Sequence, residues 1–91
     1  MAYWVYILRC GDGSLYTGIA TDVERRFREH ASGRGAKYTR SRGAEAIVYR
    51  EELADKGCAL RREAAVKKLT RAEKLALIAA SDVAQKGVAL P

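Results

Sequence analysis

Residues 3–9 are rich in β-branched and aromatic side chains and stop at Gly-Asp-Gly. They predict a strand with Tyr3, Val5 and Ile7 on one face and Trp4, Tyr6 and Leu8 on the other. Residues 15–20 predict a second strand, and the Gly-Asp-Gly-Ser linker predicts a hairpin. Turn length sets its register. A two-residue turn at Asp12-Gly13 pairs Tyr6 with Ile19 and puts Tyr6 and Tyr16 on opposite faces. A three-residue turn, Gly11 to Gly13, pairs Tyr6 with Gly18 and Leu8 with Tyr16, so both tyrosines share a face. Composition permits either. The longer turn is the expected one because it gives Gly18 a purpose: the missing side chain beside Tyr6 leaves space for a ligand or another backbone.

Thr21 to Glu24 reads as a capping box that opens a helix ending near Ala31, before Gly33 and Gly35. Val23 and Phe27 define its apolar stripe, His30 falls on that stripe, and Arg26 sits one turn before His30 at its edge. Residues 36–41 can form a single helical turn, and 45–53 predict a third strand. A helix is expected from Asp55 or Lys56 to Leu69, and another, capped by a Thr70–Glu73 box, to about Ala80. In the first of these, Ala59, Leu60, Val66 and Leu69 form an apolar arc with Glu63 near its middle. A carboxylate inside an apolar face needs a cation, a hydrogen-bond donor or a metal. The order β-β-α-(turn)-β-α-α implies an α+β fold, a three-stranded antiparallel sheet flanked by helices.

The 91 residues suit one domain, expected over 1–80, with a loosely held tail at 81–91. Seventeen Lys and Arg against eleven Asp and Glu give a net charge of +6, which points to a polyanionic partner such as nucleic acid or an anionic membrane surface. No apolar run approaches the ~18 residues of a membrane span. The first residues lack the basic region and cleavage site of a signal peptide. Cys10 and Cys58 are expected as free thiols in a reducing compartment, the cytoplasm, and are too few for a structural zinc site. Arg34, Lys37, Arg40 and Arg42 form a basic segment without an acid, with Tyr38 among them. Such residues can hold backbone phosphates, and Tyr38 can stack an unpaired base, although a solvated loop explains the segment equally well.

The stretches around Tyr6 and Tyr16-Thr17-Gly18, followed by "ERRFREH" and later "REAAVKKL", resemble the GIY-YIG nuclease domain over residues 3 to about 80. The single-domain size is similar to small stand-alone bacterial members of the YhbQ type. "VYI" stands for the first triplet, and Thr17 replaces isoleucine in the second. The resemblance implies a DNA phosphodiesterase dependent on one divalent cation, magnesium or manganese. It implies that Tyr6 and Tyr16 are the paired tyrosines, Gly18 the motif glycine, Arg26 the catalytic arginine, His30 its accompanying histidine and Glu63 the metal-binding carboxylate. The larger homing and repair enzymes of the group carry extra DNA-binding domains, and sequence specificity from such a domain is not expected here. DNA, single-stranded or branched, is therefore the expected partner, with RNA left open and neither a membrane nor an obligate protein partner indicated.

The implied chemistry suits these residue types. A hard cation keeps several waters, so one carboxylate can anchor it. Arginine offers phosphate a planar fork that stays charged. A phenol of pKa about 10 is a poor base at neutral pH, and Arg26 and the cation are expected to lower that of Tyr6. His30 can instead accept the proton or orient Tyr6, and the sequence leaves the base unassigned between them. A binding module that keeps the fold without turnover is the alternative to a nuclease, and a protein-interaction domain is a third reading.

Overall fold

The alternating pattern of the first twenty residues builds the centre of the molecule. β1 (Tyr3–Cys10) and β2 (Leu15–Ala20) form an antiparallel hairpin, and β3 (Ala44–Leu53) pairs antiparallel with the other edge of β1. The sheet order is β2-β1-β3. These coordinates come from a computed structural model that describes residues 2–89, with side chains described as far as residue 81.

The hairpin takes the longer turn. Cys10 N–H donates to the Ser14 carbonyl at 2.8 Å, Gly13 N–H donates to the Cys10 carbonyl at 2.9 Å, and Gly13 sits at φ +84°. A side chain is disfavoured at that angle, so the glycine permits the turn. Tyr6 consequently lies opposite Gly18, and Leu8 opposite Tyr16. Two skipped residues on β3, between the pairs Ile7–Tyr49 and Leu8–Ile47 and again beyond Arg9–Ala46, bulge that strand.

Helices cover both faces. α1 (Val23–Ala31) lies on the face of Trp4, Tyr6 and Leu8, where Val23 and Phe27 pack with Tyr16 and Ile47. α2 (Lys37–Arg42) follows α1. α3 (Lys56–Lys67) and α4 (Arg71–Ala89) cover the face of Val5 and Ile7 through Ala59, Val66, Leu69, Leu77 and Ile78. Two apolar cores thus share one sheet, as the period-two pattern requires.

Local details differ from expectation. α1 is capped by Asp22 rather than Thr21: Asp22 is extended and its carboxylate accepts from Arg25 N–H at 3.0 Å. A carboxylate also complements the positive end of the helix dipole. Glu24 then turns outward to an ion pair with Arg50. At α4 the capping box forms reciprocally, with Thr70 N–H on Glu73 at 2.8 Å and Glu73 N–H on Thr70 Oγ1 at 3.2 Å. Asp55 caps α3 by accepting from Cys58 N–H at 2.8 Å, and α3 ends at Lys67, short of Leu69. The α3 apolar arc is narrower than expected. Ala59 and Val66 are buried, but Leu60 is 46% exposed. α4 continues past Ala80 to Ala89. The expectation of a loosely held tail at 81–91 falls largely on side chains outside the described residues.

Candidate active site

The hairpin and α1 bring four side chains together. Tyr6 projects from the middle of β1 and is buried, with its hydroxyl 3.0 Å from His30 Nε2. The rings of Tyr16 and His30 lie 5.0 Å apart, and those of Tyr6 and Tyr16 6.4 Å apart. Arg26, one helical turn before His30, hydrogen-bonds Glu29 at 2.7 Å and lies close enough to Tyr6 for its charge to favour the phenolate. Gly18 holds no free space for a ligand. A Cβ there would lie 2.6 Å from the Tyr6 hydroxyl oxygen, so the Tyr6 ring itself fills the gap. The register expected from Gly18 forms, and the neighbouring phenol occupies the gap.

Electrostatics oppose ionisation of Tyr6 in this state. Burial and the neighbouring Tyr16 push its phenol up to about 12, against the lowering effect of Arg26. Arg26 acts in the expected direction, but desolvation of a buried phenol outweighs one partly exposed guanidinium. Burial and then Arg26 push His30 below its ordinary 6.5, against a smaller opposing effect of Glu29, so the imidazole is neutral at physiological pH.

His30 is held from behind by the segment between α1 and α2. Its Nδ1 lies 2.7 Å from Thr39 Oγ1 and accepts from Ala36 N–H at 3.3 Å. A Cβ at Gly35 would collide with the imidazole, so this glycine allows the backbone to close on the ring. The hairpin tip in turn fixes α2. Gly11 N–H bonds the Arg42 and Gly43 carbonyls at 3.0 and 2.8 Å, and Arg42 pairs with Asp12 at 3.1 Å. Sequence reasoning passed over Thr39, Ala36 and Glu29, and read Gly35 only as a helix terminator. The glycine-alanine pair just before a short helix was the one available sign of a close approach.

Glu63 is 18% exposed on α3 and pairs with Lys67 at 3.3 Å, one turn on. Its negative charge also reaches Tyr6, as the least of the influences on that phenol. Among the described residues no three His, Cys, Asp or Glu side chains cluster to hold a metal. That donor set does not suit a resident ion caged by protein. It does suit a magnesium-like ion, which keeps its waters and takes one carboxylate together with substrate phosphate. Thr17, at the position where isoleucine was expected, is buried with a hydroxyl that has no partner among the described residues.

The basic segment divides. Arg34, Lys37 and Arg40 are exposed. Arg42 sits 4.0 Å above the Tyr38 ring, and Tyr38 lies 5.7 Å from the Tyr16 ring. Tyr38 therefore already has stacking partners and extends the aromatic row that begins at Tyr6.

The family model for the GIY-YIG catalytic domain matches residues 2–76. The chain belongs to the GIY-YIG family. Membership of a nuclease family supports a nuclease-type function with a nucleic-acid substrate. This GIY-YIG chain is 52% identical over 75 residues to a UPF0213 protein of Streptococcus sanguinis, covering 82% of this chain and 86% of that one. It is 46% identical over 77 residues to the UPF0213 protein YhbQ of Escherichia coli, covering 85% and 77%. The solution structure of the UPF0213 protein BH0048 from Bacillus halodurans superposes with a TM-score of 0.56 at 51% identity, covering 87% of this chain and 84% of that one. Among the described residues, no helix is long and apolar enough to cross a membrane.

Proposed function

We propose that this GIY-YIG protein is a divalent-metal-dependent endonuclease that hydrolyses DNA phosphodiester bonds. In this reading it is directed to single-stranded or branched DNA, with little sequence specificity, and acts in the cytoplasm. The observation that carries the reading is the meeting of Tyr6, Tyr16, Arg26 and His30 in one cluster whose central phenol also feels Glu63. In this reading Glu63 anchors magnesium or manganese. The bound ion would supply charge neutralisation on the phosphate and stabilise the leaving oxygen. Lys67, the half-exposed partner, must then release Glu63 to water and the ion.

Arg26 binds a non-bridging phosphate oxygen. Its five donors allow it to keep Glu29 and still offer N–H groups to substrate. Tyr6 and His30 stand at the attacking water, and Tyr16 orients the phosphate by hydrogen bonding. Arg34, Lys37 and Arg40 supply exposed charge that positions the backbone without reading bases. Tyr38 and Arg42 border the same cluster, where a splayed base can join the aromatic row.

The test is a panel of labelled single-stranded, duplex, flap and junction DNAs with magnesium or manganese and with EDTA. Cleavage should appear with metal and vanish with EDTA, and should be lost in Glu63→Gln and Tyr6→Phe. Arg26→Ala should lower the rate by about a hundredfold or more. Salt-sensitive binding with no cleavage under either metal would instead make the chain a non-catalytic nucleic-acid-binding module.

A further inference from the structure

We infer that Thr39 is a positioning residue: with Gly35 and Ala36 it holds His30 as the tautomer protonated on Nε2, so that His30 donates a hydrogen bond to Tyr6 rather than taking its proton. The inference rests on the proposed nuclease reading only for its catalytic consequence.

The tautomer follows from who can donate to whom. A backbone N–H can only donate, and that of Ala36 points at His30 Nδ1 at 3.3 Å. Nδ1 therefore presents its lone pair. Thr39 Oγ1 lies 2.7 Å from the same nitrogen, where two lone pairs would repel, so the hydroxyl turns its proton to Nδ1. That proton has one competing acceptor, the Ala36 carbonyl at 2.9 Å. This carbonyl already accepts from Thr39 N–H at 3.0 Å and Arg40 N–H at 3.1 Å, so it does not need the hydroxyl. The opposite tautomer would set an Nδ1 proton against the Ala36 N–H in a part-buried contact and leave that backbone donor unpaired. Thr39 and His30 are both essentially inaccessible to water, so solvent cannot supply the missing bonds.

With Nδ1 occupied, the imidazole proton is on Nε2, 3.0 Å from the Tyr6 oxygen. Tyr6 receives that bond from the neutral imidazole and also has the cationic Arg26 guanidinium as a neighbour. Donors aimed at an oxygen favour its anion. The proton count then closes between Tyr6 and solvent. The phenol proton leaves to solvent before attack, and the attacking water gives a proton to the phenolate as its oxygen bonds to phosphorus. The bond from phosphorus to the leaving oxygen breaks, that oxygen takes a proton from solvent, and the phenol is regenerated. His30 keeps its Nε2 proton and stays neutral throughout.

The chain has a single histidine, so a long-range proton–nitrogen NMR spectrum of the full-length labelled protein reports His30 without ambiguity. At neutral pH, Nε2 should resonate as a protonated nitrogen and Nδ1 as a bare one. The reverse pattern, or averaged signals from a mixture, would overturn the inference. In Thr39→Val the shape is retained and the hydroxyl lost. The nitrogen signals should move toward a tautomer mixture, and kcat for DNA cleavage should fall about ten- to a hundredfold with KM unchanged. Thr39→Ser should restore both. Wild-type nitrogen signals and kcat in folded Thr39→Val would refute the role of Thr39. If that variant fails to fold, the wild-type tautomer and the spectrum of Thr39→Ser decide. If the wild-type protein cleaves no DNA, the nuclease reading fails while the nitrogen pattern still tests the tautomer.

Discussion

The two faces of the sheet handle polar groups differently. Beneath α3, Tyr49, Glu51 and Arg62 satisfy one another: the Tyr49 hydroxyl donates to Glu51 at 2.6 Å, and Arg62 bonds the same carboxylate at 2.9 Å. That cluster ties β3 to α3 and is closed. Beneath α1, Tyr6 and His30 are more deeply buried, yet their partners belong to three segments: the hairpin, α1 and the α2 approach. Burial there raises the Tyr6 phenol to about 12 and lowers the imidazole. A closed pair can be assembled by two neighbouring elements. An open cluster needs several to arrive in register.

The sharpest way to break this contrast is through glycines. Gly35→Ala drives a methyl into the His30 ring and should destabilise the protein by about 2–3 kcal/mol or more, with loss of any cleavage. Denaturant unfolding and a cleavage assay check both. If the variant is as stable as wild type, the α2 approach does not enclose His30 as described.

Acid should unsettle the α1 face before the α3 face. His30 is held neutral in the folded state, with its pKa below the ordinary 6.5 that it has when unfolded. Its contribution is present above that value and declines as pH falls from 6.5 toward the folded pKa, because only the unfolded chain takes up the proton. The groups around it are Arg26, which opposes protonation, Glu29, which favours it, and the uncharged Tyr6, Tyr16 and Thr39. Unfolding free energies measured between pH 7.5 and 5.5 should therefore decline, and the decline should be smaller in His30→Gln.

Thr70→Ala removes one half of the α4 capping box and should cost about 1 kcal/mol, read as a lower unfolding midpoint, with the cleavage rate unchanged. The smallest effect should be a gain. Gly57 lies in the first turn of α3, and a Cβ there meets only ordinary contacts at 3.4 and 3.5 Å. Gly57→Ala should raise stability by about 0.5–1 kcal/mol by restricting the unfolded chain. A methyl would thus be harmful at one glycine and helpful at the other.

Much of this was legible along the chain. The strands follow from their alternating pattern, and the hairpin register follows from one argument about Gly18. His30 and Arg26 follow from helical spacing against Val23 and Phe27. The choice of Asp22 over Thr21 as cap was not legible, because both residues can cap and only the backbone angles choose between them. Nor was the exposure of Leu60, since α3 alone does not say how wide a stripe the sheet will cover.

The sequence by itself determined the order of elements, the two faces of β1 and the residues able to do phosphate chemistry, because periodicity and residue type are local properties. The tertiary structure alone decided that Tyr6 fills the gap at Gly18, that burial outweighs Arg26 at its hydroxyl, and that Ala36 and Thr39 close on His30. Desolvation and hydrogen-bond direction depend on groups distant in sequence meeting at a few ångströms, and no local pattern records those distances.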